Sequence, residues 1–164
     1  MFNLWYNLNK KINGESMIWK IKKFKDLTAE ELYKILKLRS SVFVVEQECI
    51  YQDCDGKDLD AYHLFCMDKN KVIATLRILD KGVSYDEISI GRVAVDKEYR
   101  RNNLGRKAME EALNFIKCTY GEAKIKISAQ VYIKDFYKSL GFKECSKEYL
   151  EDDIPHIEMI NNFI

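Results

Sequence analysis

Three arginines and a lysine crowd the stretch Tyr99-Arg100-Arg101-Asn102-Asn103-Leu104-Gly105-Arg106-Lys107, shortly after the apolar run Val93-Ala94-Val95. The order reads as a strand, a short polar turn, a basic loop and a helix. The first N–H groups of a helix have no partner within it, and the helix dipole is positive at that end. Both favour an anion. Arg100, Arg101 and Arg106 add positive charge around the same point. The chemistry that follows is the binding of a multiply charged, phosphate-bearing ligand. Glycine fills one of the two loop positions that want it, Gly105. Asn103 fills the other, and asparagine is the non-glycine residue that best tolerates left-handed backbone angles. Taken alone, the loop also fits an ordinary strand-to-helix connection with a solvated basic face.

The following segments shift that balance. Ile125-Lys126-Ile127-Ser128-Ala129-Gln130 reads as a second strand. Residues 133–140 read as a short helix closed by Gly141, with Phe142 opening another strand. The pattern Arg100-x-x-Asn103-x-Gly105, followed by Tyr137-x-x-x-Gly141-Phe142, resembles the acyl-CoA signature of the GNAT N-acetyltransferase superfamily. That pattern has Gln or Arg, then Gly, then Gly or Ala, so Asn103 is a departure. Upstream, Leu38-Arg39-Ser40-Ser41-Val42-Phe43-Val44-Val45-Glu46-Gln47, Tyr51-Gln52-Asp53, Asp55-Gly56 and His63 resemble the ElaA-like branch, as does Asp153-Ile154-Pro155-His156-Ile157. The matching segments span residues 19–159.

The resemblance implies an α+β fold of GNAT type. It has a mixed central sheet of about six to seven strands with about four helices. The central parallel strands, Ile88–Val95 and Ile125–Gln130, are splayed to admit acyl-CoA. It further implies an N-acetyltransferase that uses acetyl-CoA as co-substrate and moves the acetyl group by direct attack of a primary amine. The implied cofactor-binding residues are Val93, Ala94, Val95, Arg100, Arg101, Asn102, Asn103, Leu104, Gly105, Arg106, Gln130 and Tyr137.

Such a reaction needs a polarised thioester carbonyl. Gly91 within its strand suggests a bulge or a close backbone approach by something else; a bulge would leave N–H groups near Val93 and Ala94 to bond the carbonyl oxygen. The departing thiolate needs a proton. A phenol with a pKa near ~10 is protonated at neutral pH, which makes Tyr137 the expected general acid. The amine must be neutral: a lysine-like group near ~10.4 has to lose a proton, whereas an α-amine near ~8 hardly needs help. Glu46, Asp55, His63 and His156 are the candidate bases or substrate anchors. Each histidine reads more readily as a hydrogen-bonded structural residue, and Glu46 equally as an anchor for Arg39. Two other classes stay open. One is a non-catalytic acyl-CoA sensor or interaction module. The other is an acyltransferase making a small signalling molecule, because residues 39–43 resemble acyl-homoserine-lactone synthases.

The elements that must hold these residues are legible in outline. Trp19 and Ile21 alternate with Lys20 and Lys22, as in a half-buried strand. Asp26-Leu27-Thr28 offers a helix cap, with Glu30 and Glu31 in the first turn. Leu32, Ile35, Leu36, Arg39, Val42 and Phe43 fall on one helical face, and a buried Arg39 requires acids or carbonyls as partners. Residues 63–67 and 72–79 read as a hairpin, and Asp80-Lys81-Gly82 as a turn. Leu104, Ala108, Met109, Ala112, Leu113 and Ile116 share one face of the helix after the basic loop.

At 164 residues the chain suits a single domain over residues 17–164, preceded by an N-terminal arm, residues 1–16. The arm puts apolar residues before basic ones and is no secretory signal. With 27 Lys+Arg against 26 Asp+Glu, nothing global calls for nucleic acid or an anionic membrane. No apolar run approaches the ~20 residues that span a bilayer. Five scattered cysteines without metal-type spacing read as free thiols in a reducing cytoplasm, with no metal site. The expected partner is an amine-bearing small molecule or peptide, and a homodimer is left open.

Overall fold

A computed structural model describes residues 8–12 and 15–162. Among them lie nine strands and three α-helices, divided between two compact units. Trp5, Tyr6 and the turn expected at Asn13-Gly14 fall outside the described residues.

The unit containing the N-terminal part runs to Ile78 and takes up the chain again at Arg92–Ala108. It holds β1 (Leu8–Ile12), β2 (Glu15–Lys23), α1 (Ala29–Arg39), β3 (Tyr62–Asp68), nearly all of β4 (Lys71–Leu79) and residues 92–95 of β5 (Ile88–Val95). The strand order is β1-β2-β3-β4-β5, with antiparallel ladders from β1 to β4. Part of the expected arm is thus a strand: Leu8–Ile12 pairs with β2.

Sequence and structure agree closely at the start of α1. The Thr28 hydroxyl accepts from the Glu31 N–H while the Glu31 carboxylate accepts from the Thr28 N–H, a reciprocal capping box. Glu31 also receives Lys22 Nζ at 2.7 Å and Lys20 Nζ at 3.0 Å. Burial opposes charge on this carboxyl, but the two lysines and the Thr28 N–H outweigh it and hold the pKa at about 2. The pairing overturns one expectation, since Lys22 is buried rather than turned to solvent. Beyond Arg39 the helix continues as a π-helical segment, Ser40–Glu46. Its i→i+5 bonding adds residues to each turn, yet Arg39, Val42 and Phe43 still turn inward as counted. Leu38 is buried while Leu32 and Leu36 are only half-buried. Ile35, Leu38 and Val42 pack with Phe65, Val72 and Ala94.

The second unit comprises Leu79–Gly91 and Met109 onward. It contains residues 88–91 of β5 and most of α2 (Leu104–Tyr120). It also holds β6 (Ile125–Gln130), α3 (Lys134–Lys138), β7 (Lys143–Glu144), β8 (Tyr149–Glu151) and β9 (Ile154–Asn161). The order is β5-β6-β9-β7, with β8 also on β9. The parallel ladder of β5 with β6 consists of Ile88↔Ile125 and Ser89↔Lys126 and stops there, although both strands continue. That early stop is the splay expected of the central pair. The β8–β9 hairpin turns through Asp152 and Asp153, both left-handed.

The strand count exceeds the expected six to seven for a physical reason. β7 and β8 are two and three residues long, too short to show alternation, and β1 falls in the segment read as an arm. Gly91, where a bulge was expected, has no left-handed backbone; the left-handed residue in β5 is its neighbour Arg92, at φ 55. A Cβ on Gly91 would meet nothing within 4 Å, so no close approach inside the chain requires glycine there. Among the described residues, no helix is long and apolar enough to cross a membrane.

Candidate active site

The basic loop is tied down before it begins. Tyr99 donates its hydroxyl proton to Asp68 at 2.8 Å, and Lys71 bridges Asp96 and Glu98 at 2.9 and 3.0 Å. The Asp96 N–H donates to the Ile73 carbonyl at 2.9 Å. These bonds fasten residues 96–99 to the β3–β4 hairpin. The chain then passes through two left-handed residues, Arg101 (φ 67) and Asn103 (φ 57), before α2 starts at Leu104. Left-handed turns at a helix entrance are the backbone geometry of anion-binding concavities. Asn103 therefore adopts the conformation that its residue type suggested. We predict that Asn103→Gly leaves CoA affinity unchanged or slightly tighter, whereas Asn103→Val weakens it through strain at a β-branched residue. Calorimetric titration of the three proteins checks this.

Arg100 keeps its side chain at the surface, where it is paired. Nε donates to the Val95 carbonyl at 3.1 Å, and Nη1 and Nη2 form a fork on Glu46 at 2.5 and 2.8 Å. The last residue of the π-helical segment is thereby fixed to the first residue of the loop. Glu46 does not anchor Arg39, as it could have.

Arg39, 1% exposed, finds its partners elsewhere. Nε donates to Asp53 Oδ2 at 2.9 Å, Nη1 to Asp58 Oδ1 at 2.6 Å and Nη2 to the Asp53 carbonyl at 3.0 Å. Arg77 grips Asp55 with both terminal nitrogens, at 2.7 and 2.8 Å, and lies 3.2 Å from Asp58. Burial alone would raise the pKa values of Asp55 and Asp58, but the arginines hold both below the carboxylate range. His63 is 1% exposed, with Nε2 3.0 Å from the Asp58 carbonyl oxygen and its ring 6.2 Å from Phe24. Burial lowers its pKa against the opposing pull of Asp58. Sequence reasoning asked for partners to Arg39 without naming them. The spacing of Asp53, Asp55 and Asp58 was the signal available.

His156 sits in the second unit, opposite Gln130 on β6 and Tyr149 on β8. Nδ1 lies 2.8 Å from the Ile154 carbonyl oxygen, and the ring stacks on Tyr149 at 6.2 Å. Ser128 joins Tyr149 and Glu151 at 2.6 and 2.8 Å, a group the sequence did not single out.

Tyr137 is held by the residues that follow it. The N–H groups of Leu140 and Phe142 donate to its carbonyl oxygen, and Gly141 makes the turn at φ 88. A Cβ at Gly141 would lie 3.2 Å from Asn161 Nδ2, which itself donates to the Leu140 carbonyl. Phe136 and Phe142 meet the Tyr137 ring edge-on at 5.1 and 6.0 Å. The residue is 7% exposed, and burial, helped by Tyr132, pushes its phenol up to about 12. Its hydroxyl makes no protein hydrogen bond among the described residues. In the first unit a basic loop with two left-handed residues leads into a helix; in the second, α3 carries a phenol that makes no protein hydrogen bond among the described residues.

The mixed sheet, with its short central parallel ladder, has the fold of acyl-CoA N-acyltransferases. The profile of the acetyltransferase (GNAT) domain matches residues 24–163, and the chain belongs to that family. Within it the chain falls in the ElaA-like branch. Protein ElaA of Escherichia coli is 35% identical over 148 residues, covering 89% of this chain and 97% of that one. Its crystal structure superposes with a TM-score of 0.82 at 36% identity, over 87% of this chain and 98% of the other. A UPF0039 protein of Schizosaccharomyces pombe is 44% identical over 140 residues, covering 84% of this chain and 92% of its own length. An acyl-CoA N-acyltransferase from Pseudomonas aeruginosa superposes with a TM-score of 0.85 at 40% identity, covering 89% and 99% of the two chains.

Proposed function

We propose that the protein transfers an acetyl group from acetyl-CoA to a primary amine of a small molecule or peptide, by direct attack of the amine on the thioester. The observation that carries this reading is Tyr137, a buried side chain whose protonated hydroxyl no protein group claims among the described residues. In this reading the backbone of residues 100–106 receives the pyrophosphate at the entrance of α2. Arg101 and Arg106 supply charge, while Arg100 stiffens the loop through Glu46. The Val93 and Ala94 N–H groups bond the thioester oxygen as negative charge builds on it. Val95 and Gln130 line the cofactor's path. Tyr137 gives its proton to the departing sulfur.

Of the candidate bases, His156 has the geometry for the task. Donation from Nδ1 to the Ile154 carbonyl leaves the lone pair on Nε2, ready to accept a proton. His63 serves the Arg39 network, and Glu46 serves Arg100. An acceptor screen tests the reading: amines, peptides and polyamines are offered with acetyl-CoA, and release of the CoA thiol is followed. Thiol release that depends on the amine is expected. CoA binding without release for any acceptor would favour the sensor reading instead.

A further inference from the structure

β5 carries a strained residue where the proposed reaction needs a fixed backbone. Arg92 stands at φ 55, a region that side chains with a Cβ rarely enter and that a strand interior does not otherwise use. Such a conformation persists only where the surroundings over-determine it. Arg92 Nε lies 2.7 Å from Asp53 Oδ1, and Nη2 donates to the Asp53 carbonyl at 3.2 Å and reaches Asp55 at 3.4 Å. The guanidinium also lies over the Tyr51 ring at 5.4 Å. The residues that hold it are themselves held. Asp53 takes Arg39 through its other carboxylate oxygen and its carbonyl, and Oδ1 accepts the Tyr51 hydroxyl at 3.0 Å. Asp55 is gripped by Arg77. A side chain 21% exposed is therefore fastened to a buried ionic lattice. Two residues on, Ala94 is packed in the core with Ile35 and Leu38. Backbone on both sides of Val93 is thus held in place.

We infer that Arg92 is a positioning residue for acyl transfer: its hold on Asp53 and Tyr51 maintains the left-handed turn that aims the Val93 and Ala94 amides at the thioester carbonyl. The inference rests on the acetyl-transfer reading above. It also gives a role to the Tyr51-Gln52-Asp53 and Asp55-Gly56 strings, which the proposed chemistry does not otherwise use. They are the grip on β5, and Arg39 and Arg77 are what the grip is mounted on.

The test uses Arg92→Ala, Arg92→Lys and Arg92→Gly in the full chain. It combines steady-state kinetics, CoA titration and hydrogen exchange at the backbone amides. Arg92→Ala should lower kcat by about 10–10²-fold, somewhat less than outright loss of an oxyanion donor. CoA affinity should stay within about threefold, because CoA carries no acyl carbonyl for those amides. Arg92→Gly should recover part of kcat, since glycine adopts the turn without a Cβ penalty. Arg92→Lys, with the charge but no fork, should not. Amide exchange at Val93 and Ala94 should quicken in the Ala and Lys variants. Wild-type kcat in Arg92→Ala, or in Arg92→Lys should the alanine variant fail to fold, would overturn the role of Arg92 while leaving acetyl transfer intact. A wild-type chain that neither binds CoA nor transfers acetyl would overturn the transfer reading. In that event, unchanged exchange at both amides in Arg92→Lys would overturn the hold on the backbone as well.

Discussion

Tyr137→Phe is expected to lower kcat by roughly 10²–10⁴-fold, the usual worth of a positioned general acid, while CoA affinity changes little. The ring that meets Phe136 and Phe142 is retained, and the removed hydroxyl makes no protein hydrogen bond among the described residues. Nothing in the packing is therefore lost with it. A phenol pushed up to about 12 stays protonated across the working pH range, so Tyr137 should impose no alkaline fall in rate until pH approaches that value. Steady-state kinetics on the best acceptor, with a CoA titration of the same variant, reads both quantities. Unchanged turnover would move proton donation to water or another group. Loss of binding together with turnover would make Tyr137 a wall of the cofactor site.

The largest expected effect on stability belongs to Arg39. Replacing it with Met keeps much of the apolar stem but leaves Asp53 and Asp58 buried without the cation they share. Breaking one side of a buried ionic cluster costs about 3–5 kcal/mol, read as a lower urea midpoint at unchanged slope. The pH dependence has a definite sign. In the wild type the Asp58 pKa is depressed, so its contribution is present above the unfolded pKa near ~4 and is lost as pH falls through the folded value. Without Arg39 the buried carboxyl shifts upward and favours its proton. The stability gap between the two proteins should therefore narrow as pH drops toward about 4. A gap that is constant from pH 7 to pH 4 would assign the loss to packing rather than charge.

These two residues also mark how far the sequence could be read. Where burial repeats with a simple period, element bounds were legible. Ile88–Val95 and Ile125–Gln130 emerge as expected, and Leu104, Ala108, Met109, Ala112, Leu113 and Ile116 are all buried along α2. Local hydrogen bonding was equally visible, as in the Thr28 and Glu31 capping box and the left-handed Asn103. What escaped was set by distant partners. Arg39 meets acids 14 and 19 residues away, and Arg92 meets Asp53 across 39. Lys22 is buried only because Glu31 folds back over it. The left-handed residue of β5 is Arg92 rather than Gly91, and its ion pairs reach residues far off in the chain, which no local pattern announces.

Calorimetric titration of CoA into the wild-type chain and into Gly105→Glu tests the central claim most directly. Gly105 lies in the first turn of α2, where an acidic residue suits the helix dipole, so the substitution spares the fold while placing a carboxylate where the pyrophosphate would bind. Saturable binding to the wild type that disappears in Gly105→Glu is the predicted result. No binding by the wild type, or equal binding by both proteins, would contradict the assignment of residues 100–106 as the acyl-CoA cradle.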